Sequence, residues 1–149
     1  MPARIRRAKP SDLDALVALE EASFDHDRVS RTQFRRHLAS PSAAVLVAEE
    51  RGQVLGGALL FFRRGAKAAR LYSIAIAQTA RGQGLGAALL NAAEREARRR
   101  GCAAMKLEVR TDNTPAIALY EKRGYRCVTR MPGFYENGMD AWRYEKPLG

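Results

Sequence analysis

The chain has two cysteines, two histidines and no uninterrupted apolar run of the ~18 residues that a membrane helix needs. Cys102 and Cys127 are too few, and wrongly surrounded, for a disulfide framework or a thiolate metal site. Each borders an apolar, strand-like segment, so both read as buried or half-buried free thiols, in keeping with a reducing cytoplasm. His26 and His37 lie apart in the first helical region, His37 on a solvent-facing helix surface and His26 in the polar segment Asp25-His26-Asp27. No metal site is expected. The basic start, Met1 to Lys9, runs into the polar Pro10-Ser11-Asp12-Leu13-Asp14 instead of an apolar stretch, so secretion is not expected. There is no internal repeat, low-complexity segment or linker, so residues 1–149 are expected to form one domain.

Positive charge is abundant. Lysine and arginine number 26 against 16 acidic residues, for a net charge of +10. Such an excess speaks of partners and solubility, not of fold. A polyanionic ligand or a ribosomal surface would be attracted to it. The arginines are scattered, with one dense run at Arg98-Arg99-Arg100, and no basic track is interleaved with aromatic residues. Direct nucleic-acid binding is therefore not expected.

Hydrophobic residues make up 46% of the chain, enough for a core at this length. Ile5 to Arg7 reads as a short strand. Ser11 with Asp14, and Ser30 with Gln33, have the spacing of helix capping boxes. Leu13, Leu16 and Val17, then Phe34 and Leu38, supply apolar faces, and Pro41 closes the second helix. Strands follow at Ala44 to Glu49, Val54 to Phe62 and Leu71 to Ile76. From Gly84 the helical period returns through Leu85, Ala88, Leu89, Ala92, Ala93 and Ala97, and Gly101 stops it. Cys102 to Val109 is a strand. Thr114 as cap and Pro115 in the first turn open another helix, which Gly124 ends. Tyr125 to Arg130 and Ala141 to Glu145 are the last strands. Two helices followed by a strand meander are not an alternating βαβ pattern; the class is mixed α+β.

The segment Arg81-Gly82-Gln83-Gly84-Leu85-Gly86 falls where an apolar strand gives way to an amphipathic helix. The first N–H groups of a helix lack internal acceptors and the helix dipole is positive there, so glycines at this point can admit an anion close to the backbone. The spacing is neither the dinucleotide fingerprint nor a P-loop. Alone, it is equally a tight turn that binds nothing.

This Arg-x-x-Gly-x-Gly helix head is similar to the pyrophosphate motif of GNAT acetyltransferases. Leu107-Glu108-Val109-Arg110, Asp112-Asn113, Ala116-Ile117-Ala118-Leu119-Tyr120-Glu121 and Gly124-Tyr125 follow at the spacing of that family. The set resembles the ribosomal-protein-alanine N-acetyltransferase branch from about Leu71 to Tyr125. The first seventy residues match in order of elements only. The resemblance implies a twisted, mostly antiparallel sheet of six to seven strands with about four helices and two splayed central strands. It implies acetyl-coenzyme A as cofactor. Ile74-Ala75-Ile76 would be the strand edge along the pantetheine arm, with the Ile76 N–H toward the thioester oxygen. Arg81, Gly82, Gln83, Gly84, Leu85, Gly86 and Ala87 would hold the pyrophosphate, and Asn113 the pantetheine side. Glu108 would be general base and Tyr120 general acid. Outside the resemblance, Glu108 reads as a carboxylate paired with Arg110 or Arg81, and Tyr120 as a core aromatic.

The implied acceptor is a protein N-terminal α-amine, with a ribosomal protein as a candidate partner; a small amine, an amino acid or a lysine side chain is the alternative. The stretch Pro132 to Asp140 is shorter than the corresponding loop of that branch, and it shapes the acceptor pocket there. Phe134 and Tyr135 would be a pocket wall or simple turn packing. The segment Phe24 to Arg31 is expected to face the acceptor. The sequence leaves monomer and homodimer both open.

Overall fold

A computed structural model describes residues 3–149. Seven strands and four helices follow one another as β1 (Arg4–Arg7), α1 (Leu13–Ser23), α2 (Arg31–Ala39), β2 (Ala43–Glu50), β3 (Gln53–Phe61), β4 (Ala68–Ile76), α3 (Leu85–Arg99), β5 (Ala104–Arg110), α4 (Thr114–Lys122), β6 (Arg126–Met131) and β7 (Ala141–Pro147). The strands make one sheet in the order β1-β2-β3-β4-β5-β7-β6. Among the described residues every neighbouring pair is antiparallel except β4 with β5. A parallel pair cannot be closed by a hairpin, and α3 supplies the crossover.

Helices cover both faces of the first half of the sheet. Val45, Val47 and Leu59 meet Leu16 of α1 and Phe34 of α2, while Leu46, Ala48 and Leu60 meet Leu89 and Leu90 of α3. Side chains alternate along a strand, so β2 is apolar on every residue from Ala43 to Ala48, where both of its faces are buried. Glycines let the helices press close. A Cβ on Gly56 would lie 3.0 Å from Leu89 Cδ1, and one on Gly57 would lie 3.1 Å from Leu16 Cδ2.

Local signals met mixed outcomes. The Ser30–Gln33 capping box forms, with reciprocal bonds of 3.1 and 2.8 Å. The Ser11–Asp14 box does not. A 3-10 turn over Pro10–Asp12 precedes α1, and Asp12 takes the Lys9 N–H at 2.7 Å. Arg6 forks onto Asp12 at 2.8 and 3.0 Å while its Nε reaches Glu49 at 2.9 Å. Those guanidinium bonds hold the Asp12 carboxyl below its usual range. Asp14 points outward to Arg31 instead. Asn113, not Thr114, caps α4. His37 is half-buried, its ring 4.8 Å from that of Phe61, and is not a free surface side chain. Cys102 is half-buried as expected, but Cys127 is exposed, because β6 is the outer strand and five of its six residues face solvent. No helix of the described residues is long and apolar enough to cross a membrane.

The parallel pair is brief. β4 and β5 are in register only from Ala68 to Leu71 and from Ala104 to Leu107. Beyond that β4 runs to Ile76 and β5 to Arg110 without pairing to each other. The two central strands therefore splay, and one edge of each is open.

Candidate active site

The splay opens a cavity of about 580 Å³. Its walls are Glu20 and Ser23 of α1, the loop after it from Phe24 to Asp27, Arg70 and Tyr72 to Ile74 of β4, Glu108 to Arg110 of β5, Ala116 and Tyr120 of α4, and Phe134 and Tyr135 from the loop before β7. Of the sequence-derived candidates, Ile74, Glu108, Asn113 and Tyr120 meet in this space. Phe134 and Tyr135 line it, their rings edge to face at 5.0 Å, and His26 stands exposed at its mouth.

Glu108 is the most constrained of these groups. Its side chain is 4% exposed. Arg70 approaches Oε1 with Nε at 2.9 Å and Nη2 at 2.8 Å, and Arg143, its cross-strand partner on β7, donates to Oε2 at 2.8 Å. A carboxylate has about four acceptor directions, so these three contacts fix its orientation and leave Oε2 able to accept once more. The anticipated partners are otherwise engaged or absent: Arg110 forks onto Asp112 at 3.1 and 2.9 Å, and Arg81 forms no ion pair with Glu108.

Tyr120 is 8% exposed, and its ring lies 5.8 Å from that of Tyr125. Burial holds its phenol well above the ordinary value, so it carries its proton throughout the neutral range. Tyr135 is pushed up to about 12 by burial and by the nearby charge of Glu108. Sequence reasoning missed Arg70, Arg143, Tyr72 and Glu20. Arg70 and Arg143 each interrupt a strand whose neighbours are apolar or aromatic, a place where a charge needs a partner, and that was the available signal. Glu20 is 3% exposed and accepts the Val29 N–H at 2.8 Å; burial raises its carboxyl above the usual range.

The glycine loop lies outside the cavity wall, as do Ala75 and Ile76. Gly82 and Gly84 have φ of 81° and 79°, a region that favours glycine. Gly84 caps α3 without a side-chain bond, and the first helical bond runs from Ala88 N–H to its carbonyl at 3.1 Å. The N–H groups of Leu85, Gly86 and Ala87 thus have no helical acceptor. Arg81, Gly82 and Gln83 are exposed beside them, whereas the Leu85 side chain is buried in the core. On β4, the Ala77 N–H bonds to Leu55 of the β3 side at 2.8 Å. Ladder alternation then turns the N–H groups of Ile74 and Ile76 away from β3, toward the open edge, and that of Ala75 toward β3. Asn113 lines the cavity and uses its side-chain oxygen to cap α4, receiving the Ala116 N–H at 3.3 Å.

Known proteins resemble this chain in sequence and fold. The model of the acetyltransferase (GNAT) family matches residues 13–125. An N-alpha-acetyltransferase of Sulfurisphaera tokodaii is 31% identical over 97% of this chain and 93% of its own length. A candidate ribosomal protein bS18-alanine N-acetyltransferase of Bacillus subtilis is 30% identical over 93% of this chain and 91% of its own. The crystal structure of the ribosomal-protein-S18-alanine N-acetyltransferase from Escherichia coli superposes with a TM-score of 0.87 at 28% identity, covering 99% of this chain and 94% of that one. With its splayed sheet, unsatisfied helix head and matched motifs, the chain belongs to the GNAT family and is an N-acetyltransferase of that type.

Proposed function

We propose that the chain transfers the acetyl group of acetyl-coenzyme A to the α-amine of a protein N-terminus, with Glu108 as general base and Tyr120 as general acid. One observation carries this reading: the divergence of β4 from β5 leaves an open strand edge between an unbonded helix head and a cavity that holds both residues. Acetyl-coenzyme A is the donor that the GNAT family uses. The residues suit it. Free N–H groups at the start of α3 match a diphosphate. The outward Ile76 N–H matches an amide carbonyl of a pantetheine arm. Arg81, Gly82 and Gln83 flank the first site, and the Asn113 amide serves the second.

The chemistry then asks little of each group. An amine attacks only as the free base, and a peptide α-amine at pKa ~8 gives up its proton more readily than a lysine at ~10.4. Glu108 accepts that proton at Oε2, directly or through a water, and the nitrogen sheds its second proton to solvent once it has bonded to the thioester carbon. The Ile74 N–H, on the cavity wall with Glu108, meets the oxyanion in place of that of Ile76, which lies outside the wall. The carbon–sulfur bond breaks, Tyr120 gives its proton to the departing sulfur, and solvent exchange resets both residues. A thiol of pKa ~8.5 leaves readily, so Tyr120 contributes less than Glu108. A ribosomal protein is the first partner to try, since two of the relatives are named for that substrate.

Peptides carrying both a free α-amine and an internal lysine test the acceptor. Mass spectrometry is expected to place the acetyl group on the α-amine, with no product from the N-formylated peptide. Acetylation of the lysine, or of small amines alone, overturns the reading. The helix head has its own test. Gly84→Val puts a β-branched residue at φ 79°, a strain of about 1–2 kcal/mol that the fold survives. It also crowds the approach to the free N–H groups. Calorimetry is expected to show coenzyme A affinity reduced about tenfold or more, about 1.4 kcal/mol per tenfold; unchanged affinity rejects the phosphate cradle.

A further inference from the structure

The acceptor side of the cavity is acidic on a chain that is strongly basic overall. Five carboxylates line it against two guanidiniums: Glu20, Asp25, Asp27, Glu108 and Asp112 against Arg70 and Arg110. Arg70 is committed to Glu108 and Arg110 to Asp112. Glu20, Asp25 and Asp27 remain on one wall without an ion pair among the described residues. Arg28 stands near Glu20 but donates to the carbonyls of Phe24 and Glu21.

Two oxygens on this wall are unfinished. Asp27 accepts the Glu136 N–H with Oδ1 at 3.4 Å, which ties the loop after α1 to the loop before β7 across the cavity mouth. Its Oδ2 is buried without a hydrogen-bond partner, and so is Oγ of Ser23. Buried oxygens without partners are rare in native proteins, and each asks for a donor from elsewhere. Asp27 also has φ 56°, a backbone region that few side chains enter. The loop is thus held in an uncommon shape that keeps a carboxylate at the cavity. Ammonium and guanidinium groups, with three and five N–H donors, are the partners such a wall lacks.

We infer that the wall of Ser23, Asp25 and Asp27, backed by Glu20, recognises a second cationic group on the acceptor, so that the enzyme prefers N-termini with arginine or lysine close behind the reacting amine. This inference rests on the N-terminal reading above. The second residue of a peptide is the natural carrier, because its Cα lies only ~3.8 Å from the first. The remaining field is negative only locally, so the cavity attracts a positive segment that the rest of the surface repels.

The test is kinetic. Three peptides alike except for Arg, Ala or Glu at the second position are compared with the parent enzyme, Asp27→Asn and the double variant Asp25→Asn/Asp27→Asn. Asn keeps the oxygen that receives the Glu136 N–H and tolerates the left-handed backbone. In the parent, kcat/KM for the Arg peptide is expected to exceed that for the Glu peptide about tenfold or more, mainly through KM. The ratio should shrink as salt rises from 0.05 to 0.5 M, since exposed charges are screened. It should fall toward one in the double variant. Equal values for the three peptides, or a ratio that survives the double variant, overturns the subsite. If all three peptides are acetylated without preference, the N-terminal reading stands and only this inference fails. If a polyamine is acetylated faster than every peptide and the double variant abolishes that advantage, the cation subsite stands and the N-terminal reading fails.

Discussion

Glu108→Gln is expected to lower kcat about a hundredfold or more, the range typical of a lost general base, while coenzyme A affinity changes little. The second part follows from position: the proposed cradle at Gly82 to Ala87 lies outside the cavity wall that contains Glu108. The pH profile separates loss of a base from loss of shape. Without a base the reaction depends on acceptor that is already unprotonated, so the deficit against the parent should narrow as pH rises past the α-amine value of ~8. A deficit constant from pH 6 to 9 would mean that Glu108 serves geometry alone, and a variant as fast as the parent would remove it from the mechanism. The variant also has a structural cost. Arg70 and Arg143 converge on this one carboxylate, and an amide turns one of its two acceptors into a donor that faces a guanidinium. Breaking a buried ion pair from one side costs about 3–5 kcal/mol, moderated here because both arginines are about one-third exposed. Rates should therefore be compared well below the variant's unfolding temperature, with coenzyme A binding measured on the same sample.

Glu108 stands out in the sequence only through the resemblance of its motif to a family, and its two arginines escape any short motif because of their distance along the chain. Helix caps are local: Ser30 and Gln33 lie three residues apart and satisfy each other with little tertiary help. The glycine stops at Gly101 and Gly124 are equally local, and both adopt positive φ. Arg70 and Arg143 lie 38 and 35 residues from Glu108. They reach it only because β5 pairs with β4 on one side and β7 on the other, a register that no short pattern encodes. The failures share this cause. Ser11 has the right residues around it for a cap, but Asp12 is captured by Arg6, and Arg6 is itself steadied by Glu49 from β2. Thr114 was one residue late because Asn113 offers the α4 N–H groups a better-placed oxygen. Cys127 sits in an apolar-looking strand, yet strand order puts that strand at the sheet's outer edge. The acidic wall of the cavity is hidden for the same reason: Asp27 looks like ordinary solvated charge until the loop before β7 meets it.

Glu94→Leu is expected to be the most destabilising of these changes. Glu94 is a 3% exposed carboxylate on the buried side of α3. It receives the Tyr125 hydroxyl at 2.8 Å and Lys146 Nζ at 3.0 and 3.1 Å, with Arg98 at 3.8 Å. It thus joins the crossover helix to the start of β6 and to β7, elements with few other ties to α3. Removing the carboxylate leaves a half-buried ammonium and a buried hydroxyl unpaired, at about 3–5 kcal/mol. For a chain of this size, at about 2–4 °C per kcal/mol, the unfolding midpoint should drop by roughly 10 °C. The double variant Glu94→Leu/Lys146→Met removes both charges together, and it should recover a large part of that loss. If the double variant is as unstable as the sum of its parts, the pair is not coupled. A functional echo should accompany the structural one. Tyr125 packs its ring against Tyr120 at 5.8 Å, so freeing the Tyr125 hydroxyl loosens the neighbour that holds the proposed acid in place. Turnover in Glu94→Leu should fall only a few-fold, and the double variant should not restore it, because neither of its new side chains gives Tyr125 a hydrogen-bond acceptor.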